Sequence, residues 1–480
     1  MSLFMWTNGS RRDFLKNSAL GVGWLAAMDL FGEAAAETPG SPLAARPSPL
    51  PATAKRVIHL FMQGGPSQID TFDPKPALNR LDGQRPPDSF GSEDFQNGQF
   101  RDLRLMGSGR TFRQHGESGL EVSDLFPHVA RRADDIAVVR SNYHEGFTHS
   151  QAQFLIHNGW TRIGRPSLGS WILYGLGTEN RNLPGFVVLL QGGVRSGPEV
   201  YGEGFLPAMY QGTSFRPGPE PILYLNPPEG RSRDRQRDLL DTLRKLNGGH
   251  IRERNHDSEL TARLESYELA FRMQMAAPEA TDISSESGAT KRLYGLDDPA
   301  SADFGGRCLL ARRLVERGVR FVQVWSGNGQ NAIDWDGHTE CERNHQDRAA
   351  ETDKAVAGLL ADLKSRGLLD STLVIWGGEF GRTPTSDGGR GRTRGRDHNP
   401  YGFTLWMAGG GVQGGKVIGS TDELGLRAAE DPVHLNDLHA SILALLGLDH
   451  ERLTYRHMGR EFRLTDVGGS TWLADQLRQA

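Results

Sequence analysis

Cysteine is nearly absent from this chain. Cys308 and Cys341 are the 2 in 480 residues, and they lack the paired spacing of a zinc ribbon, a redox dithiol or a disulfide framework. Nor does charge of one sign dominate. With 55 Lys and Arg against 59 Asp and Glu, the formal net charge is −4, which gives no global reason to bind nucleic acid, an anionic membrane or a polyacidic partner. Long apolar runs are missing too. The best of them, from Ala19 to Phe31, is broken by Asp29 and falls short of the roughly 20 residues that span a bilayer. Repeats with a period of about 20 to 50 residues are also lacking. Glycine is abundant, at 60 residues, and points to a loop-rich protein.

The N-terminus carries an address. Arg11-Arg12-Asp13-Phe14-Leu15-Lys16 has the form of a twin-arginine signal, followed by the short apolar run and by Ala34-Ala35-Ala36. Residues 1–36 are therefore expected to be a removable signal read by the twin-arginine export machinery, and 37–55 a Pro/Ala-rich linker. The expected location is periplasmic or extracellular, with the mature chain soluble or peripheral and free of a stable membrane span. Twin-arginine export carries folded proteins, which suits a chain that loads a metal before it crosses.

The rest is long enough for one large α/β domain with a sizeable core. Val57-Ile-His-Leu-Phe-Met62 reads as a buried strand ended by Gly64-Gly65-Pro66. Similar runs recur at Ile136 to Val139, Phe186 to Leu190, Val319 to Trp325, Thr372 to Trp376 and Phe403 to Ala408. Several alternate with helical patterns, such as Leu309, Arg313 and Leu314, or Val356, Leu359, Leu360 and Leu363. That alternation predicts an α/β fold with a mostly parallel sheet covered by helices on both faces. The domain is placed at 56–466, with a helical and loop insertion or cap at about 192–301 and a tail at 467–480. The insertion holds one long charged helical region, Arg231 to Met275.

In open α/β sheets ligands bind beyond the carboxyl ends of the strands, and the polar motifs fall there. Asp334-Trp-Asp336-Gly-His338 follows one strand, and His398 follows sixty residues later. Asp334, His338 and His398 make a three-ligand set that leaves coordination positions open, with zinc first and manganese, iron or calcium as alternatives. Asp336 is a third ligand or an acceptor that orients His338. Thr148-His149-Ser150 opens a helix, where the macrodipole favours anions, so His149 or Ser150 is a candidate nucleophile or acid/base; N-capping by Thr148 or Ser150 is the plainer reading. Glu379 is a candidate base or ligand and Arg382 a candidate contact for a substrate anion. Arg390, Arg392, Arg394 and Arg396 form a basic run before His398. Cys341 is a further ligand candidate, and His144, His157, His345, His434, His439 and His457 are mostly surface or core histidines.

Taken together, His59-Leu-Phe-Met-Gln-Gly-Gly-Pro-Ser-Gln-Ile-Asp-Thr-Phe-Asp-Pro-Lys-Pro76, the stretch from Thr148 to Trp160, Gly378-Glu-Phe-Gly-Arg-Thr-Pro384 and Gly395-Arg-Asp-His398-Asn-Pro resemble the alkaline phosphatase and sulfatase superfamily. Within it they are similar to an exported branch, the domain of unknown function 1501. The resemblance covers roughly Arg56 to Asp466 and implies an alkaline phosphatase-like three-layer sandwich. It implies that Asp334, His338 and His398 serve one metal position. At a second position Gln63 stands where the superfamily has Asp, Glu379 stands for a later Asp and Phe380 for its His, while His149 falls in the nucleophile slot with Ser150 beside it.

The function expected from these residues is an exported metal-dependent hydrolase of a sulfate or phosphate ester, on a small molecule or a polysaccharide, with one well-formed metal site and an altered second one. The alternative is a non-catalytic binding or cell-envelope module that keeps the fold.

Overall fold

Strand β1, Arg56–Met62, is apolar on both of its faces because both are covered. Val57 and Phe61 enter one core and Ile58, Leu60 and Met62 the other, as the two-residue period of a strand requires. The computed structural model describes residues 42–90, 103–216, 222, 232–253, 258–330, 333–386 and 394–478. The expected signal with Arg11 and Arg12, the start of the linker at 37–41, and Arg390 and Arg392 lie outside the described residues.

All six strand runs expected from the sequence are strands. They are β1, β2 (Ile136–Tyr143), β3 (Phe186–Leu189), β5 (Phe321–Ser326), β6 (Thr372–Gly377) and β7 (Phe403–Ala408), joined by the short β4 (Thr213–Phe215), β8 (Lys416–Ile418) and β9 (Val433–His434). They form one sheet in the order β8-β2-β7-β6-β1-β5-β3-β4, with β9 also on β2. Every pairing is parallel except those of β7, which runs against both β2 and β6. The start of β7 therefore lies beside the carboxyl ends of its neighbours.

Helices cover both faces. On one side lie α1 (His149–Asn158), α2 (Leu168–Leu176) and α7 (Leu435–Leu445); on the other lie α5 (Ala302–Glu316) and α6 (Cys341–Ser365). The α6 residues Val356, Leu359, Leu360 and Leu363 are all buried, and truncating one such leucine to alanine costs about 2–5 kcal/mol. Helix α7 starts on a capping box: the His434 ring accepts from Asn436 N at 3.1 Å, and Asp437 accepts from His434 N at 3.2 Å.

In the stretch expected as an insertion or cap the single charged helical region resolves into two helices, α3 (Arg233–Glu253) and α4 (Ser258–Thr281). Arg237 on α3 donates to both oxygens of Glu268 on α4, at 2.6 and 3.0 Å. Ala277 and Ala280 of α4 enter the core beside α5, and Arg312 and Arg313 of α5 both grip Glu286. No helix among the described residues is long and apolar enough to cross a membrane.

Candidate metal centre

Five parallel strands end on one rim and each delivers part of a polar cluster. β1 runs into Gln63 and Gly64, β2 leads through His144 to His149 at the start of α1, β3 into the loop with Arg195, β5 into Asp334–His338, and β6 into Glu379–Arg382. His398 enters from the sequence just before β7 and reaches the same rim because that strand is antiparallel. The loops press closely on one another. Gly64 has φ +109°, and a Cβ there would stand 2.6 Å from Trp335 N; a Cβ on Gly395 would overlap His338 O. Any side chain at either position would drive the Asp334–His338 loop away from its partners.

His149, Asp336, His338 and His398 each offer one ligand atom, and these atoms all lie within 4.8 Å of one another. His338 Nε2 stands 3.0 Å from His398 Nε2. Asp336 Oδ1 lies 3.1 Å from the former and 3.5 Å from the latter. His149 Nε2 lies 3.2 Å from Asp336 Oδ2, yet it is buried and not aligned for a hydrogen bond.

Outer contacts fix which nitrogen of two rings faces inward. The Phe147 carbonyl and the Glu379 carboxylate can only accept, so His398 Nδ1 donates to Phe147 O at 2.9 Å and His149 Nδ1 donates to Glu379 Oε1 at 2.8 Å. Both Nε2 lone pairs then point into the cluster, the carboxylate–histidine arrangement that orients metal-binding imidazoles. Glu379 is itself held by Gly64 N at 3.0 and 3.1 Å and by Gln153 Nε2 at 3.1 Å. His144 donates from Nε2 to Glu379 O while its Nδ1 accepts from Gly146 N, which ties β2 to the same loop.

The electrostatics of the cluster differ from residue to residue. Burial works against ionised Asp336, but Arg382 and the three histidines outweigh it and hold that carboxyl far below the usual carboxylate range. Burial likewise opposes charge on His149, and the carboxylates of Asp336, 3.2 Å from its Nε2, and of Glu379, bonded to its Nδ1, still raise it above the ordinary histidine value. His398 is pushed down to about 3, chiefly by burial, which leaves a neutral imidazole suited to coordination. Three converging imidazole nitrogens, two with their tautomer fixed from behind, together with one ionised carboxylate, fit a divalent cation.

Several expected residues fall elsewhere. Asp334, expected as a metal ligand, is turned out of the ligand set and Asp336 takes its place. The Asp334 carboxylate is satisfied by Asn328 N at 2.9 Å, Gly329 N at 3.1 Å, Gln63 Nε2 at 3.2 Å and Arg195 Nη2 at 2.9 Å. Glu379, expected as ligand or base, stands behind His149 instead of in the set. Arg382, expected to contact a substrate anion, is fully buried and spends its guanidinium on Asp336 Oδ1 at 2.9 Å and on the carbonyls of Gly64, Gly65 and Arg396. Ser150 is exposed and takes no part in the bonds that tie the cluster together. Thr148 is the N-cap of α1 and makes no side-chain capping bond.

Cys341 is buried with its thiol pushed up to about 12, chiefly by burial, and lies 3.7 Å from His345 outside the ligand set; both cysteines are free. Of the basic run, Arg396 is buried and donates to Asp70 at 2.9 Å. Gln153 and Arg195 were not singled out in the sequence. Gln153 follows His149 at one helical turn, a spacing that would have flagged it, whereas Arg195 sits in a Gly-rich loop that looks like the edge of the insertion.

The family model described as "Protein of unknown function (DUF1501)" matches residues 54–475. No curated protein matches the sequence. Among solved structures the chain is similar to a sulfatase from a Pseudoalteromonas species, with 12% identity over 83% of this chain and 68% of that one and a TM-score of 0.36. It is also similar to the lipoteichoic acid synthase LtaP of Listeria monocytogenes, at 9% identity over 90% and 79% with a TM-score of 0.35. An alkaline phosphatase from the Antarctic bacterium TAB5 stands at 11% identity over 83% and 99%, with a TM-score of 0.35.

Proposed function

Since the chain belongs to the DUF1501 family, which fixes a lineage but no activity, we propose from its own residues that the protein is an exported, divalent-metal-dependent hydrolase of a sulfate or phosphate ester. The observation that carries this is the approach of His338 Nε2 and His398 Nε2 to 3.0 Å, with Asp336 and His149 closing on the same point. Two imidazole nitrogens facing each other cannot both donate, and a shared cation satisfies both. Bound there, a divalent ion would supply a Lewis acid for an ester oxygen and lower the pKa of water.

The chain's own groups have distinct roles in this reading. His149, Asp336, His338 and His398 hold the cation, and the imidazole-rich set favours zinc, manganese or iron over calcium, which takes oxygen ligands. Glu379 keeps the proton of His149 on Nδ1. Arg382 fixes the Asp336 carboxylate so that its two oxygens face His338, His398 and His149. Gly64 allows the β1 loop to close over Glu379 and Trp335. The twin-arginine signature at Arg11 and Arg12 supports an address outside the cytoplasm, tested by following export of an Arg11→Lys/Arg12→Lys variant, which should remain in the cell.

The test of function is to measure metal content of the folded protein and then assay aryl sulfates, phosphate monoesters and phosphodiesters, with His338→Ala as control. We expect about one metal per chain, turnover of one ester class, and loss of both in the variant. Stoichiometric metal without turnover of any class would leave a metal-binding module and no hydrolase.

A further inference from the structure

Arg195 sits where the cluster meets solvent. Its Nη2 donates to Asp334 Oδ2 at 2.9 Å and its Nη1 to Asp336 Oδ2 at 3.1 Å, so one guanidinium bridges the two carboxylates of the Asp-Trp-Asp motif. The side chain remains 19% exposed, whereas that of Arg382 is 0% exposed. The backbone around it is pinned by two amide side chains: Arg195 N donates to Gln63 Oε1 at 3.0 Å, and Ser196 Oγ donates to Gln153 Oε1 at 2.6 Å. Gln63 in turn directs its Nε2 at Asp334 Oδ1, at 3.2 Å.

We propose that Arg195 is the second cation of the centre: its guanidinium, in place of a second metal ion, neutralises Asp334 and binds the anionic group of the ester beside the single metal. This rests on the metal-dependent reading above. Asp334 is wholly buried, and a buried carboxylate must be compensated. Here compensation comes from a side chain fixed in the fold. A second metal approaching Asp334 would have to expel the guanidinium and would meet the N–H side of the Gln63 amide, a donor that repels cations. Gln63 is therefore matched to a guanidinium neighbour as a carboxylate would be matched to a metal. Each terminal nitrogen of a guanidinium carries a second N–H beyond the one given to Asp334 or Asp336, and on the 19% exposed side chain it is these that would meet two oxygens of a sulfate or phosphate group. An arginine guanidinium is not deprotonated in proteins, so Arg195 is a fixed cation.

The experiment loads the full protein with zinc, counts zinc per chain by elemental analysis and measures the affinity for inorganic sulfate and phosphate by calorimetry. The wild type should hold about one zinc per chain. Arg195→Ala should keep that zinc and bind the oxyanions about tenfold or more weakly, with Arg195→Lys between the two, because it keeps the charge and loses the two-point grip. Since Arg195→Ala leaves Asp334 buried beside no counter-ion, Asp334→Asn/Arg195→Ala is measured alongside and should show the same loss in a folded chain. Either variant binding sulfate and phosphate as tightly as the wild type, or a wild type that takes up two zinc ions per chain, would overturn the proposal. A wild type without zinc overturns the metal reading itself, a failure told apart by the metal count.

Discussion

Helix α1 carries a buried histidine near each end, and the two ends have opposite chemistry. At its start His149 lies between Asp336 and Glu379, within reach of His338 and His398. In its last turn His157 packs against Phe61 and Trp325, with His59 5.5 Å away between ring centroids. Beyond His59 lies a small cavity lined by Leu405, Leu438 and His439. Both nitrogens of His59, Nε2 of His157 and Nδ1 of His439 have no hydrogen-bond partner. Burial drives His59 down to about 3, His439 to about 4 and His157 well below the ordinary value. Burial is common to both groups, so burial alone does not mark a site. The difference is the carboxylates: where they stand behind and between the rings, lone pairs converge on one point and His149 is raised above its ordinary value, and where they are missing the rings are held neutral among apolar side chains.

The strongest way to break this contrast is at the carboxylate between the rings. Asp336→Asn should weaken zinc binding on the order of 10²–10³-fold, the share of one ligand in a four-ligand site, while Asp334→Asn should keep zinc within a few-fold, on the order of 1 kcal/mol or less. Competition titration against a chelating dye reads both. Equal losses in the two variants would restore Asp334 to the ligand set and undo the assignment made from the geometry.

Much of the fold was legible because the six main strands are apolar on both faces, a pattern that only a sheet covered on both sides accounts for. The rim was legible for the same reason, since polar and glycine residues after each apolar run mark the strand ends. The choice between Asp334 and Asp336 was not, because both stand within reach of His338 in sequence. Their orientations are set from far away, by Arg382 on Asp336 and by Gln63 and Arg195 on Asp334. Ligand and orienting carboxylate were equally indistinguishable for Glu379, whose oxygens are claimed by Gly64 N and His149 Nδ1. His149 and His157 are each flanked by unremarkable neighbours, and only the loops brought against each ring decide its chemistry.

Removing metal should separate the two groups next. Zinc at a hundredfold excess over its Kd stabilises the fold by about 2.7 kcal/mol, a shift of several °C in Tm, at roughly 2–4 °C per kcal/mol for a domain of moderate size. Scanning calorimetry with and without chelator should show that shift in the wild type and in His59→Leu, and none in His338→Ala. A chelator-sensitive His338→Ala would mean that metal binds outside the cluster.

A smaller effect is expected where a partner acts from behind a ligand. Glu379→Gln keeps the shape and a hydrogen-bonding group but no longer fixes the proton on His149 Nδ1 by charge, and loss of such outer partners costs about 10–100-fold in metal affinity. A loss as deep as that of Asp336→Asn would place Glu379 among the ligands.

The smallest effect belongs to the apolar end and concerns pH. His59 has a folded pKa of about 3 against an ordinary 6.5, so between those values the unfolded chain binds more protons and acid destabilises the fold. The contribution is fully present above pH 6.5 and is lost as pH falls towards 3. Between pH 8 and pH 6 one such histidine accounts for about 0.8 kcal/mol. His59→Leu removes the titrating group while Gln323 and Ile375, its neighbours in register on the adjoining strands, stay in place. Urea unfolding at both pH values should show the fall in stability reduced by that amount, whatever the substitution does to stability at pH 8. An unchanged pH dependence would mean that His59 is already hydrated or charged in the fold, and the two ends of α1 would then differ by less than their contacts imply.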